Sequence, residues 1–166
     1  RRNLYLANNI IPMDKPFARQ ELVDSANRPV SGATLTVEYD SENIPIYKIV
    51  TNKQIPNLRL KLGIWRSNLK KISPRHHIYF QYKGPALSML SNGIVLQDNT
   101  MTSSFGYAIP NADQFTPYMY DRDYSDNFTA MYISFENVPA GTIELKGLAM
   151  YDFENDLYPS VAKSVP

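Results

Sequence analysis

Regular alternation between apolar and polar residues is the feature that most constrains this fold. In residues 130–135 and 142–146, every second side chain is apolar. A period of two is typical of a strand with one face on a core and the other in water. Because residues 138–141 form a short connection containing Pro and Gly, we expect these two strands to form a hairpin.

The same alternation recurs upstream, most clearly in residues 33–39, 46–50 and 58–65. The pattern predicts about eight strands, separated by turn signals roughly every 8–12 residues. No long amphipathic helix is indicated. We therefore predict an all-β fold, a two-sheet antiparallel sandwich, most simply an eight-stranded jelly roll, with an Ig-like topology as the open alternative.

Two stretches lack a clear strand period. Residues 17–23 favour one short helical turn, and residues 110–126 favour a long loop. We predict an N-terminal arm over residues 1–22, a β-sandwich domain over 23–151 and a C-terminal tail over 152–166. Because the chain begins with Arg1 rather than Met, we also expect a segment upstream of it.

Composition excludes several classes of protein. The net charge is +1 and cysteine is absent. A charge so small indicates no general attraction to nucleic acid or anionic membranes. Without cysteine there is no disulfide, thiolate chemistry or cysteine-rich zinc site. No apolar run approaches the roughly 18 residues of a membrane-spanning helix.

Candidate catalytic groups do not converge. His76 and His77 are adjacent, so a strand directs them to opposite faces, where they cannot readily share a metal. Nothing brings together Glu38, Glu136 or Glu144 as a carboxylate pair. We predict no enzyme activity, no catalytic residue and no cofactor. The acidic residues within 121–126 depart from the EF-hand pattern, and a calcium site of another geometry stays open.

Aromatic residues are the more informative candidates. Exposed aromatic rings can stack on sugar rings or anchor a protein interface, although in a sandwich such residues are also often core. The predicted interface or ligand contacts are Trp65, Phe115, Tyr118, Tyr120 and Tyr124.

A weak basic patch is also present. Six cations lie within residues 59–75 and surround Trp65, a pattern compatible with phosphate and base contacts but also with a solvated strand face. The residues are Arg59, Lys61, Arg66, Lys70, Lys71 and Arg75.

Two short resemblances bear on the fold. Residues 23–37, a turn cluster followed by a strand, resemble the opening of carboxypeptidase-regulatory-like and Ig-like modules. Residues 120–124, followed by the strand 130–135, are similar to the last strands of single jelly-roll coat proteins of small icosahedral viruses, and residues 105–110 have a similar character. The second resemblance implies a capsid or capsid-associated subunit.

We therefore predict a non-enzymatic virion structural protein, which assembles with itself and with other virion proteins through strand edges, loops and termini. The virion is the expected location. The alternative is a carbohydrate-binding or adhesin-type sandwich that uses exposed Tyr or Trp residues.

Overall fold

The computed structural model describes residues 9–11, 16–17, 19–63, 75–90, 94–96, 106–123, 128–152 and 163–164. Within these ranges the regular elements are thirteen β-strands. They form two sheets of seven and six strands, which confirms the predicted two-sheet sandwich. The strand count exceeds the predicted eight because five of the strands have only two to four residues.

The seven-stranded sheet, sheet I, has the order β13-β10-β6-β12-β4-β3, with β1 beside β12. Its strands are β1 (Asn9–Ile11), β3 (Ala33–Tyr39), β4 (Pro45–Thr51), β6 (Arg75–Gly84), β10 (Ala112–Asp123), β12 (Gly141–Asp152) and β13 (Lys163–Ser164). All pairs are antiparallel except the two-residue contact between β10 and β13.

The six-stranded sheet, sheet II, has the order β2-β5-β11-β7-β9, with β8 beside β11. Its strands are β2 (Arg19–Val23), β5 (Ile55–Gly63), β7 (Leu87–Leu90), β8 (Ile94–Leu96), β9 (Gly106–Ile109) and β11 (Phe128–Val138). Successive strands repeatedly change sheet, for example β4 to β5, β6 to β7 and β9 to β10. Such repeated crossing is the arrangement of a jelly roll.

The core lies between the sheets and consists of the inward-facing residues of each alternating strand. The largest fully buried side chains are Tyr47, Ile49, Leu58, Leu60, Leu62, Phe80, Tyr82 and Phe135. Each buried aliphatic side chain stabilises the fold by about 2 kcal/mol. The burial raises the pKa of Tyr47 to about 12, and its hydroxyl accepts a hydrogen bond from the Phe17 amide at 3.0 Å.

The predicted hairpin is wrong. β11 belongs to sheet II and β12 to sheet I, so residues 138–141 carry the chain across the sandwich. The Thr51 hydroxyl fixes this crossing, since it donates to the Pro139 carbonyl at 2.8 Å and accepts from the Gly141 amide at 3.0 Å. Alternation shows which face of each strand is buried. It does not show whether two strands pair within one sheet or pack against each other from opposite sheets.

Two other predictions of local structure are also wrong. Within the predicted helical turn over 17–23, residues 19–23 form strand β2, which pairs with β5. The predicted loop over 110–126 contains the twelve-residue strand β10, which pairs with β6. A register irregularity between Ala112 and Thr116, followed by Pro117, conceals the strand period in the sequence.

The predicted boundary between residues 22 and 23 falls inside β2. Phe17 belongs to the hydrophobic core, so part of the predicted arm packs with the sandwich. In the described part of the chain, no helix is long and apolar enough to span a membrane.

Candidate functional site

The outer face of sheet I, away from the core, carries charged and hydroxyl side chains. One row crosses four strands through aligned residues Thr36, Lys48, Glu144 and Lys83. At the spacing of neighbouring strands this row spans about 14 Å. Thr36 is exposed, and the other three are partly exposed. The sheet therefore presents a polar surface to solvent.

Phe115 adds an aromatic ring to this surface. The Lys83 and Lys146 ammonium groups lie 5.6 and 5.0 Å from its ring centroid. Both lysines alternate with the inward-facing Leu145 and Tyr82, which are fully buried, so the ring lies on the outer face. Phe115 itself is only partly buried. We call Phe115, Lys83, Lys146, Glu144 and Asp40 the Phe115 cluster.

Lys146 is held in place by Asp40. Its ammonium donates to the Asp40 carboxylate at 2.8 Å, and both side chains are largely buried. Burial raises the pKa of Asp40, but the Lys146 hydrogen bond and the backbone amides of Ile44 and Glu42 together lower it below the ordinary 3.8. The amides donate at 2.9 and 2.8 Å. Asp40 therefore stays ionised at neutral pH and fixes the position of Lys146.

Lys83 is held much less firmly. Its ammonium lies 3.9 Å from the Glu144 carboxylate, and 43% of its side chain is exposed. A long, exposed ion pair contributes little free energy. The cluster thus combines one fixed cation, one loosely paired cation, the carboxylate partners of both cations and a partly exposed ring.

The outer face of sheet II carries a second aromatic ring between two cations. Arg59 and Lys61 each lie 5.8 Å from the ring centroid of Tyr132. The Tyr132 hydroxyl donates to the Asn27 side-chain oxygen at 2.9 Å, and Lys61 pairs with Glu21 at 3.7 Å. These five residues form the Tyr132 cluster. Because Tyr132 is only 3% exposed, it offers no surface on which a ligand can stack.

One sequence motif supplies a residue to each cluster. Residues 24–27 and 40–43 both read Asp-Ser-X-Asn. In each, the aspartate side chain accepts from the amides two and four residues later, and the asparagine has a φ of 62°. The first turn directs Asn27 to Tyr132, and the second directs Asp40 to Lys146.

A cleft with a volume of about 520 Å³ opens between the edge strands β2 and β3. Its walls are mainly aliphatic, including Leu22, Val30 and Leu35. Gln20 and Glu21 provide its polar groups, but it contains neither an aromatic ring nor a cation, so it lacks the stacking surface and the ammonium groups of the Phe115 cluster.

The predicted aromatic contacts separate into different environments. Phe115 lies on the outer face, whereas Tyr118 is buried in the core and packs on Phe80 with ring centroids 5.8 Å apart. Tyr118 is therefore a core residue and not an available contact. The backbone of Tyr120 lies in β10, and Trp65 and Tyr124 lie outside the described residues.

The predicted basic patch does not form one surface in the described part of the chain. Arg59 and Lys61 are on β5 of sheet II, whereas Arg75 begins β6 of sheet I. Arg66, Lys70 and Lys71 lie outside the described residues.

His76 and His77 lie in β6, and residues 121–123 end β10. Residues 124–127, the remainder of the stretch considered for calcium, lie outside the described residues. Within the described ranges, no group of three His, Cys, Asp or Glu side chains is placed to hold a metal.

Sequence reasoning identified Phe115 but not its neighbours. Lys83 and Lys146 meet the ring because β6 lies between β10 and β12. The Asp-Ser-X-Asn motif, repeated at residues 24–27 and 40–43, is a local signal that could have identified Asp40. The ion pairs depend on strand register, which no local pattern specifies.

Neither a family model nor a curated protein matches the chain. Solved structures do match in fold. One is the enzymatically active domain of tailspike protein 4 from bacteriophage CBA120, with a TM-score of 0.56 and 15% identity over 88% of this chain and 20% of that one. A second is the CBM22-1-GH10 portion of Clostridium thermocellum endo-1,4-β-D-xylanase 10B in complex with xylohexaose, with a TM-score of 0.59 and 7% identity over 92% of this chain and 30% of that one.

A third similar structure corresponds to a module of matching size. The family 11 carbohydrate-binding module from C. thermocellum, in complex with a β-1,3-1,4-mixed-linked tetrasaccharide, has a TM-score of 0.54 and 10% identity over 86% of this chain and 95% of that one. The chain spans less than a third of the tailspike and xylanase chains. At these identities the similarity establishes the β-sandwich fold alone.

Proposed function

We propose that this chain is a carbohydrate-binding β-sandwich module and that the Phe115 cluster is its binding site. The observation that carries the proposal is the partly exposed Phe115 ring beside two ammonium groups. A sugar presents an apolar C–H face that can lie on an aromatic ring. Its hydroxyls both donate and accept, and lysine ammonium and carboxylate groups provide the complementary partners.

The fold supports this proposal in preference to the capsid role. Several structures that share the sandwich are described as carbohydrate-binding modules. The predicted use of Tyr or Trp changes in one respect, because the ring at this site is Phe115. No step in the proposal requires catalysis by the chain.

The test is isothermal titration calorimetry against a panel of neutral and charged oligosaccharides. We expect at least one oligosaccharide to bind, and Phe115→Ala to weaken its affinity about tenfold or more, which corresponds to about 1.4 kcal/mol. Phe115→Leu keeps much of the apolar volume but removes the aromatic ring, so it should also weaken binding while preserving the fold.

The control is Tyr39→Ala. Tyr39 is 52% exposed and lies in step with the inward row of β3, outside the Phe115 cluster. The Tyr39→Ala variant should bind the oligosaccharide with the affinity of the native protein. A folded native protein that binds nothing in the panel, or equal binding by native protein and both Phe115 variants, would contradict the proposal.

We also propose, as a second function, that the chain is a virion component that assembles with itself or with other virion proteins. This proposal depends on the sequence observations, since the tailspike domain shares the fold alone. Light scattering over a wide concentration range, with negative-stain microscopy of the same sample, is the test. Defined oligomers or shells would support it. A monomer at every concentration, without a partner in its source extract, would contradict it.

A further inference from the structure

The two lysines at Phe115 differ in how far they can respond to a ligand. Lys146 is 20% exposed and 2.8 Å from Asp40, whereas Lys83 is 43% exposed and 3.9 Å from Glu144. Moving Lys146 breaks a short charge-assisted hydrogen bond. Moving Lys83 gives up only a long ion pair in partial contact with water. Lys83 is therefore the cation that can turn towards a bound molecule.

The neighbours of Glu144 allow this movement. Glu144 lies between Lys48 on β4 and Lys83 on β6 in the same cross-strand row. If Lys83 turns away, Lys48 remains beside Glu144 and limits the cost of leaving its carboxylate without Lys83. Lys48 also pairs with Glu38 at 3.7 Å, but half of the Glu38 side chain is exposed, so this pair too is weak.

Phenylalanine also shapes what the site can recognise. Its ring has no hydroxyl or indole N–H, so it can provide stacking but no hydrogen bond. Polar recognition next to the ring must come from the flanking groups, and the structure places two ammonium groups 5.6 and 5.0 Å from the ring centroid. An anion beside the ring gains a charge-assisted contact that a neutral hydroxyl gains only in weaker form.

We infer that the Phe115 cluster prefers acidic saccharides. A uronate-type sugar ring stacks on the exposed part of Phe115, and its carboxylate takes the place of Glu144 as the partner of Lys83. Lys146, fixed by Asp40, adds a second positive charge on the ring. This inference rests on the proposed carbohydrate-binding function and makes Lys83 its specificity-determining residue.

The experiment compares each acidic saccharide with its neutral counterpart. Calorimetry is run with hexasaccharides of polygalacturonate and of hyaluronan, each beside its carboxyl-reduced form, at an ionic strength of about 0.15 M to suppress long-range attraction. The proteins are the native chain, Lys83→Gln, Phe115→Leu and the control Lys53→Gln. Lys53 is an exposed lysine in the connection between β4 and β5.

The expected result is that the native protein and Lys53→Gln bind at least one acidic hexasaccharide about tenfold more tightly than its reduced form. Lys83→Gln should weaken binding of the acidic form more than binding of its reduced form, so that the preference is lost. Phe115→Leu should weaken binding of both forms. This combination separates a role in specificity from a general loss of binding.

Other results overturn the inference. Equal or tighter binding of the reduced forms, or binding of neutral panel members only, rejects the acidic preference and leaves carbohydrate binding in place. A preference that survives in Lys83→Gln rejects the role of Lys83. If the folded protein binds neither these probes nor any saccharide of the wider panel, the proposed function fails as well.

Discussion

The outer faces of the two sheets carry similar clusters of residues, but the aromatic ring is buried in one cluster and partly exposed in the other. Each has one aromatic ring between two cations, and each receives one residue from an Asp-Ser-X-Asn turn. On sheet II the turn contacts both the ring hydroxyl and a flanking cation, since Asn27 accepts from Tyr132 at 2.9 Å and from Lys61 at 3.4 Å, and Tyr132 is 3% exposed. On sheet I the turn contacts a flanking cation, and Phe115 stays partly exposed.

The difference shows that an aromatic ring among cations is not by itself a sign of a binding site. Tyr132 has its hydroxyl bonded to Asn27 and its ring covered, so its neighbours stabilise the fold. Phe115 has no polar atom to satisfy. Lys146 and Lys83 lie 5.0 and 5.6 Å from its ring centroid, but the ring stays partly exposed. Phe115 is therefore the accessible ring, and the ammonium group of Lys83 beside it is available to a ligand.

Replacing each ring with alanine tests the comparison with the largest expected effect. Tyr132→Ala should lower the free energy of unfolding by about 3–5 kcal/mol, because a buried aromatic side chain is lost. Phe115→Ala should lower it by about 1 kcal/mol or less, as is usual near the surface. Urea denaturation of both variants measures the difference. Equal losses would show that the two rings serve the same structural purpose.

The period of two was enough to predict the sandwich, since β5 and β11 each place an apolar residue in the core at every second position. It was not enough to predict which strands pair. β11 and β12 are joined by a short connection but lie in opposite sheets, because pairing depends on distant strands. In β10 the irregular register before Thr116 concealed the strand altogether.

The candidate site shows the same limit. Phe115 could be proposed from its residue type, but Tyr118, three residues later, has the same aromatic character and lies in the core. Only the pairing of β10 with β6 and of β6 with β12 separates the two residues and brings Lys83 and Lys146 to the ring. Aromatic content therefore indicated a class of site, whereas strand register determined its composition.

A smaller effect should follow from removing the hydrogen bond of the covered ring. Tyr132→Phe keeps the packing but loses the bond to Asn27, and we expect a loss of about 1 kcal/mol. Asn27→Gly retains access to the positive φ of 62° but removes the acceptor, and it should leave the Tyr132 hydroxyl unsatisfied. In a double-mutant cycle the two losses should not add. Additive losses would mean that the bond contributes no coupling between the turn and the ring.

The smallest effect is expected from removing the charge of Asp40, which fixes Lys146 in the Phe115 cluster. Asp40→Asn keeps an oxygen that can accept from the Glu42 and Ile44 amides but removes the ion pair with Lys146. At neutral pH we expect the free energy of unfolding to fall by about 1 kcal/mol or less, the usual range for a partly exposed pair. Because the pKa of Asp40 is lower in the folded chain than its ordinary 3.8, this contribution is present above that pH and is lost as the pH falls through the folded pKa.

The native protein and Asp40→Asn should therefore approach the same stability in acid, as measured by urea denaturation at a series of pH values. Asp24→Asn provides the comparison from the other face. The hydrogen bond from the Arg28 amide is the main cause of the lowered pKa of Asp24. The ion pair that Asp24→Asn removes is with the Arg28 side chain, which is 75% exposed, so this variant should lose less stability than Asp40→Asn. If Asp40→Asn is as stable as the native protein at neutral pH, or differs from it equally at every pH, Asp40 does not stabilise Lys146 through charge. The cation beside Phe115 would then be as free to move as Lys83, and the distinction between the two lysines would fail.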